Sequence, residues 1–240
     1  MKVLVIPDIH LKPYIFAGAR EIMNRGEAEV SVCLMDIPDD WGKEYALEEY
    51  ANTYDAAIAF AKEFPDTRWC YGNHDLCYLW NERESGYSGD AKPIVQRKLM
   101  ELNMALPPEN PIQYVHQIDN VLFCHGGILQ YFVDKHVPRS KQEDVSQTVD
   151  IINSLGHYEL WCNDSPIWYR PQENKGTLYM ADKCLQVVGH TPVNKLRRDK
   201  NVISCDVFST YPDGTPIGTQ ELLLLDTQTW EFEGRHIAGI

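Results

Sequence analysis

The sequence predicts an α/β protein arranged as a four-layer α-β-β-α sandwich, in which two mixed sheets are flanked by helices. Two observations support this fold class. The first part of the chain alternates three short apolar runs with two helical patterns, which is typical of parallel strands joined by helical crossovers. The second half contains more short apolar runs with shorter connections, which favours two mixed sheets over a single doubly wound sheet.

The opening elements follow the order β-α-β-α-β. Three short apolar runs have the pattern of buried strands: residues 2–6, 30–35 and 67–71. Two segments between them have helical periodicity: residues 16–25 and 44–64. They are closed by Gly26 and Pro65, residues that commonly end helices. Parallel strands connected in this way bring their carboxyl ends to one edge of a sheet.

The second half of the chain adds strands with shorter connections. They are predicted at residues 112–117, 120–124, 185–188, 201–205, 221–225 and 229–233. The first two are expected to pair antiparallel around a turn at Asp119-Asn120. Two longer segments, 77–111 and 131–183, are rich in Pro, Asn, Glu and aromatic residues. We predict that they are excursions of a single domain spanning residues 1–240, and that they cover the face on which the functional site lies.

Length and composition limit the classes of function. A chain of 240 residues with 44% hydrophobic content suits one large domain with a buried core. The net charge is −13, and such a surface repels phosphate backbones, which argues against general nucleic-acid binding. An anionic substrate remains compatible with this charge if metal ions dominate the field inside the site.

Cysteine usage and hydropathy indicate a cytoplasmic protein. The seven cysteines have no paired spacing, and several lie inside apolar runs, so we expect buried free thiols in a reducing compartment. The apolar run at the N-terminus ends at Pro7, too early for a signal peptide. No apolar stretch approaches the roughly 18 to 20 residues that a membrane span requires.

Side chains that bind metals follow the predicted strands at their carboxyl ends. They are Asp8, His10, Asp36, Asn73, His125 and His190. Each of them alone has an ordinary structural explanation, such as a cap, a turn or the start of a helix. Together, in this order, they predict a metal site. The mixture of carboxylate, imidazole and amide ligands favours Mn²⁺, Fe or Zn²⁺, whereas an all-oxygen set would favour Mg²⁺ or Ca²⁺.

The order of the motifs resembles that of the calcineurin-like metallophosphoesterases. The motifs are Asp8-Ile9-His10, Asp36-Ile37-Pro38-Asp39, Gly72-Asn73-His74-Asp75, His125-Gly126-Gly127 and Gly189-His190-Thr191-Pro192. Within that superfamily the chain is most similar to the phosphoprotein phosphatase branch, with its bacterial, phage-type and diadenosine tetraphosphatase relatives. Pro192 stands where many cyclic nucleotide phosphodiesterases have a second histidine, which favours the phosphatase-like branch. The resemblance spans residues 2 to about 206.

The resemblance implies roles for these residues. The implied ligand set is Asp8 and His10 for a first metal, Asp36 as the bridge, and Asn73, His125 and His190 for a second metal. His74 would be the general acid that protonates the leaving group, and Asp39 would orient it. Two neighbouring ions can lower the pKa of a bridging water and clamp the phosphoryl oxygens for in-line attack, so no protein nucleophile is required.

The second motif departs from the family pattern. That motif usually reads Gly-Asp-x-x-Asp-Arg-Gly, and its arginine grips the substrate phosphate. Here Met35 replaces the glycine and Asp40 replaces the arginine, and a carboxylate would repel a dianionic monoester. Arg170 resembles an arginine that related phosphatases supply from the segment after the His-Gly-Gly motif, so we predict a phosphate clamp there. The alternative is an exposed arginine on a surface loop.

Three further residues have weaker support. Trp168 and Tyr169 are predicted to contact the substrate by stacking on a base or a phosphotyrosine ring, although aromatic residues in a long excursion also build a local core. Asp206 follows the strand at 201–205, where relatives carry an aspartate, and a purely structural turn explains it equally well.

The predicted function is hydrolysis of a phosphomonoester, with a phosphoprotein as the expected substrate and two divalent ions, Mn²⁺ before Fe or Zn²⁺, as cofactors. A first alternative is cleavage of a dinucleoside polyphosphate or another nucleotide. A second alternative, of another class, is an inactive metal-binding scaffold. The presence of His74 beside all six ligands argues against the scaffold, because a binding module has no use for a leaving-group acid.

Overall fold

Two mixed sheets packed face to face form the centre of the computed structural model, which describes residues 1–237. The first sheet contains, in spatial order, β10 (Phe232–His236), β9 (Glu221–Asp226), β1 (Lys2–Ile6), β2 (Val30–Cys33) and β3 (Arg68–Trp69). The second contains β4 (Val115–Ile118), β5 (Val121–Cys124), β6 (Leu185–Val188), β8 (Val202–Ser204) and β7 (Arg197–Asp199).

Seven α-helices are found in residues 1–237. They are α1 (Tyr14–Asn24), α2 (Leu47–Glu63), α3 (Asn73–Trp80), α4 (Lys92–Ala105), α5 (Gln130–His136), α6 (Val145–Asn153) and α7 (His157–Leu160). A 3₁₀ turn at Arg139–Lys141 lies between α5 and α6. Buried residues of α1, α2 and α4 pack on the outer face of the first sheet, and those of α5, α6 and α7 pack on the outer face of the second.

Alternation along the strands produces the four layers. In β1, Val3 and Val5 belong to the core between the two sheets, whereas Leu4 and Ile6 belong to the core beneath the helices. Successive side chains of a strand point to opposite faces, so a strand that is apolar on both faces must be covered on both. The observed α/β sandwich confirms the predicted fold class.

Strand register determines where the functional residues lie. In the first sheet β1, β2 and β3 are parallel, with Ile6 opposite Cys33 and Cys33 opposite Trp69. In the second sheet β5, β6 and β8 are parallel, with Val188 paired to both Cys124 and Ser204. The carboxyl ends of both parallel sets therefore supply the loops that form the site.

Several element boundaries differ from the predictions. The last strand begins at Phe232 instead of 229, because Asp226 Oδ1 accepts hydrogen bonds from the backbone nitrogens of Gln228 and Thr229 and holds them in a turn. Strand β7 was not predicted, since its three residues are charged and exposed and have no apolar pattern. The excursion 77–111 contains the second half of α3 and all of α4, and the excursion 131–183 contains most of α5 and all of α6 and α7.

The predicted state of the cysteines is confirmed, because all seven are free and all but Cys162 are buried. None of the helices in the described part of the chain combines the length and the apolar character that crossing a bilayer requires.

Candidate metal centre and active site

The six predicted ligands converge where the loops of both sheets meet. Asp8, His10 and Asp36 each offer one ligand atom, and these atoms lie within 4.8 Å of one another. Asp36 Oδ2 lies 3.6 Å from His10 Nε2 and 3.4 Å from His125 Nε2. The Asp36 carboxylate therefore lies between two groups of potential ligands, one from each end of the site.

The second group consists of Asn73, His125 and His190. Asn73 Oδ1 lies 2.9 Å from His125 Nε2, and the rings of His125 and His190 are 4.9 Å apart between centroids. Asn73 is the first residue of α3, so the end of β3 and the start of that helix fix its position.

Backbone carbonyl groups orient the imidazole rings of His125 and His10. His125 Nδ1 donates to the carbonyl oxygen of Leu34 at 3.2 Å, and His10 Nδ1 donates to that of Asp39 at 2.9 Å. A carbonyl oxygen can only accept, so Nδ1 carries a proton in both rings, and Nε2 is the nitrogen that faces the ligand cluster. Such orientation by backbone carbonyls is typical of metal-binding histidines.

Asp206 also belongs to this cluster. It is buried, and it lines the same cavity as His10 and Asp36. Burial, followed by repulsion from Asp206, raises the pKa of Asp8 well above its usual value. Ser209 donates to both Asp206 oxygens, from its backbone nitrogen at 3.2 Å and its hydroxyl at 2.9 Å. The carboxylate therefore holds the turn at Ser209, as the structural alternative expects, and it also lines the cavity over the ligand cluster.

The loops that carry the ligands have an uncommon backbone. Positive φ angles occur at His10 (42°), Asp36 (47°), Asp39 (66°) and His190 (61°), although none of these residues is glycine. Left-handed conformations of such residues are uncommon and cost energy, and they tend to cluster at functional sites. Met35, at the position of the family's glycine, also has a positive φ of 55°, so the loop keeps the glycine-like conformation without the glycine.

Two glycines allow the carboxylates to approach the backbone closely. A β-carbon at Gly72 would collide with Asp36 Oδ1, and one at Gly189 would collide with Asp8 Oδ2. Any other residue at either position would displace a carboxylate from the cluster.

Asp75 positions the loop of Asp36, a role that was not predicted from the sequence. Its carboxylate accepts hydrogen bonds from the backbone nitrogens of Asp36 at 2.9 Å, Gly72 at 3.1 Å and Ile37 at 3.3 Å. Tyr54 donates its hydroxyl to the same carboxylate at 3.1 Å. Burial, followed by repulsion from Asp36, raises the pKa of Asp75 to about 7.

The residues present fit divalent metal ions. Asp8 Oδ2 and His190 Nε2, atoms of two predicted ligands, are buried and have no hydrogen-bond partner among residues 1–237. Buried polar atoms are rarely left unpaired, so each is suited to a cation. Burial, followed by repulsion from His125 and Arg170, lowers the pKa of His190 well below its usual value, which keeps it in the neutral form that binds metals.

His74 and Asp39 form a hydrogen-bonded pair beside the ligands. His74 Nδ1 lies 2.9 Å from Asp39 Oδ2, while Tyr50 and Tyr78 donate to Asp39 Oδ1 at 2.9 Å and 2.6 Å. Burial opposes the charged form of His74, but attraction to Asp36 and the hydrogen bond to Asp39 outweigh it and raise the pKa of His74 to about 9. The imidazole is therefore a proton donor near neutral pH.

A cavity of about 290 Å³ opens over this cluster. It is lined by residues of both predicted excursions, including Glu84, Trp168 and Arg170. Several residues between Asp206 and Ile217, a segment that was not predicted to reach the site, also line it. Arg170 Nη1 donates to the carbonyl oxygen of His190 at 2.7 Å and to Thr191 Oγ1 at 3.2 Å.

Of the two aromatic residues predicted to contact the substrate, Trp168 lines the cavity and Tyr169 lies in the core. Trp168 lines the cavity, and its ring packs edge-on against His190 with 5.5 Å between centroids. Tyr169 does not line it, and the prediction of a substrate contact is wrong for this residue. It is only 6% exposed, packs in the core beneath α5 to α7, and accepts a hydrogen bond from the backbone nitrogen of Gly176. Tyr169 belongs to the local core that was the alternative explanation.

Asp40 is paired, which changes the expected effect of losing the family's arginine. Lys12 Nζ, nearly buried, donates to Asp40 Oδ2 and to the carbonyl oxygen of His10, both at 2.9 Å. Thr210 donates its hydroxyl to Asp40 Oδ1 at 3.0 Å. The charge of Asp40 is therefore offset by Lys12, and this pair connects the loop of His10 to the loop of Asp36 instead of repelling a phosphate.

Comparison with known proteins agrees with this geometry. A family model described as calcineurin-like phosphoesterase matches residues 1–213. The chain is similar in structure to the cold-active protein-tyrosine phosphatase of a psychrophilic Shewanella species, with 18% identity, a TM-score of 0.57, and coverage of 97% of this chain and 80% of that one. It is also similar to the protein TT1561 of Thermus thermophilus, with 13% identity, a TM-score of 0.51, and 98% coverage of both chains. At these identities the likeness shows the fold. No curated protein sequence matches the chain.

Proposed function

The chain belongs to the calcineurin-like phosphoesterase family, and from this premise we propose that it hydrolyses phosphomonoesters with the help of two divalent metal ions. Family membership makes it a metal-dependent hydrolase of phosphoric esters. The number of ions, the monoester specificity and the residue roles belong to the proposal. We further propose that the chain acts as one catalytic domain.

Each ligand has a proposed place. Asp8 and His10 would hold one ion, Asn73, His125 and His190 the other, and Asp36 would contact both; we add Asp206 beside Asp8 and His10. The position of the Asp36 carboxylate between the two histidine groups supports the bridging role. Ions bound there would lower the pKa of a water molecule and offset the charge of the phosphoryl oxygens.

The observation that carries the proposal is the His74–Asp39 pair, which faces the same cavity as the ligands. Asp39 holds the Nδ1 side of the ring, so Nε2 is left to donate a proton to the leaving oxygen. A metal-binding scaffold would not require a partly buried, oriented acid at this place. We therefore do not retain the scaffold alternative.

Metal reconstitution tests this function. We expect the metal-stripped protein to be inactive towards p-nitrophenyl phosphate and to regain turnover with added Mn²⁺, Fe²⁺ or Zn²⁺, the ions that suit a mixed set of imidazole, carboxylate and amide ligands, with Mn²⁺ the most effective. Bis-p-nitrophenyl phosphate is the diester control and should be the poorer substrate. Failure of every metal to restore turnover of either ester would contradict the proposal.

Arg170 is the proposed phosphate clamp, because it is the one arginine among the described residues that line the cavity. The Arg170→Ala change is expected to raise KM for p-nitrophenyl phosphate roughly 10- to 100-fold, since a hydrogen bond between charged groups contributes about 1.5–3 kcal/mol. Steady-state kinetics at fixed metal content measure the change, and the exposed Arg139→Ala is the matched control. An unchanged KM would mean that Arg170 only supports the His190 loop.

For the substrate, a phosphoprotein is our first choice and a nucleotide our second. The structurally similar Shewanella enzyme is a protein-tyrosine phosphatase, which supports including phosphotyrosine peptides in the substrate panel. Trp168, at the cavity wall beside His190, supports the second choice, since its ring could stack on a base.

A further inference from the structure

Among residues 1–237, five carboxylates line the cavity, and four of them have a partner or a proposed metal. The five are Asp36, Asp39, Asp40, Glu84 and Asp206. Asp36 and Asp206 belong to the ligand cluster, Asp39 pairs with His74, and Asp40 pairs with Lys12. Glu84 is the remaining one, and no salt bridge to it occurs within the described part of the chain.

Glu84 lies on the His74 side of the cavity. Its loop connects α3 to α4, and a β-carbon at Gly86 would lie 3.4 Å from Cβ of Asp39, the residue that holds His74. The same loop is anchored where the backbone nitrogen of Ser88 donates to Tyr78 Oη at 2.9 Å, and Tyr78 in turn donates to Asp39. The position of Glu84 is therefore coupled to that of the leaving-group acid.

Positive and negative side chains lie on different sides of the cavity. Arg170, bonded to the His190 loop, supplies the permanent cation on one side, whereas Glu84 on the His74 side supplies a carboxylate that has no salt-bridge partner among residues 1–237. A phosphoryl group held at Arg170 and the metal ligands directs its leaving group towards His74, and hence towards Glu84. A charge on the leaving group would therefore interact with Glu84 at this end of the cavity.

Two aromatic side chains also line the cavity. Trp41 and Tyr211 line the cavity and are 51% and 53% exposed, so their ring faces are accessible to a substrate. A cavity lined by both aromatic faces and a carboxylate suits an alkylammonium or guanidinium group, which is attracted by each of them.

We propose that Glu84 determines leaving-group specificity and favours phosphomonoesters whose leaving group carries a positive charge, as in a phosphopeptide with basic residues beside the phosphorylated one. This inference rests on the proposed phosphomonoesterase function and narrows its substrate class. A dinucleoside polyphosphate or nucleoside triphosphate has an anionic leaving group, which would meet the unpaired carboxylate of Glu84. Such substrates are disfavoured.

Competing peptides of matched sequence test the inference on the Mn²⁺-loaded protein. The probes are phosphotyrosine peptides with lysine, alanine or glutamate on both sides, together with diadenosine tetraphosphate and p-nitrophenyl phosphate. We expect kcat/KM to fall roughly fivefold per step from lysine to alanine to glutamate, the scale of one charge pair near a protein surface, and to be lowest for diadenosine tetraphosphate. In Glu84→Gln the ratio between lysine and glutamate peptides should approach one, and in Glu84→Lys it should invert.

The control is Glu143→Gln, which removes the same charge from a residue that is 86% exposed and does not line the cavity; its peptide ratio should equal that of the wild type. Metal content and thermal midpoint verify that each variant is folded. Turnover of p-nitrophenyl phosphate without a preference among the peptides, or a preference that survives Glu84→Gln, would overturn this inference alone. Absence of turnover on every probe would overturn the proposed function and this inference with it.

Discussion

Replacing Asp36 with asparagine is expected to remove bound metal and catalytic activity together. Asp36 Oδ2 lies 3.6 Å from His10 Nε2 and 3.4 Å from His125 Nε2, so this one carboxylate contacts both groups of proposed ligands. Asparagine preserves the size of the side chain but removes the negative charge that would offset two cations. Turnover of p-nitrophenyl phosphate should fall at least about 10²–10³-fold, the scale on which the loss of one electrostatic stabiliser slows an enzyme.

Metal analysis after gel filtration provides the independent measurement. Wild-type protein should retain two equivalents of Mn²⁺, and Asp36→Asn should retain less than one. Asp66→Asn is the matched control, because it removes the same charge from an exposed residue outside the cavity. Full metal content in Asp36→Asn would show that this residue does not bridge the ions.

The strand ends were predictable from the sequence because they depend on local patterns. An apolar run that stops at Asp8 or Asp36 identifies a strand and the loop after it, and parallel pairing then brings such loops together. Local patterns did not predict that Asp206 lies at the ligand cluster. Its strand was predicted, but β8 lies beside β6 only because of the sheet order β4-β5-β6-β8-β7, which no local pattern encodes.

Residues that act through loop conformation were harder to predict. Lys12 and Asp40 are 28 positions apart, and their ion pair depends on the close approach of two loops, supported by the hydrogen bond from His10 N to Asp36 O at 2.9 Å. Glu84 likewise reaches the cavity through a loop between two helices. Helix α4 did leave a signal, since its buried residues, Val95, Leu99 and Leu102, follow helical spacing inside an excursion for which no helix was predicted.

The His74→Asn variant is expected to keep its metals and to lose turnover according to the leaving group. Lost general acid catalysis usually slows a reaction roughly 10²–10⁴-fold, and we expect this range for a phosphoserine peptide, whose alkoxide leaves poorly without a proton. The effect should be clearly smaller for p-nitrophenyl phosphate, because nitrophenolate is a stable leaving group. The contact of His74 with Asp36 is made by its backbone nitrogen at 2.8 Å, so asparagine retains it.

A comparison with Asp39→Asn separates acid catalysis from a structural defect. Asp39 accepts one bond from His74 and two from tyrosines, so Asp39→Asn weakens the orientation of His74 while leaving the imidazole in place. Like His74→Asn, Asp39→Asn should lose more turnover with the phosphoserine peptide than with p-nitrophenyl phosphate, but both losses should be smaller. If His74→Asn instead lost its metal, or slowed both substrates equally, His74 would be a support of the ligand cluster rather than the proton donor. The dependence on leaving group, measured at constant metal content, is what only an acid at Nε2 of His74 would produce.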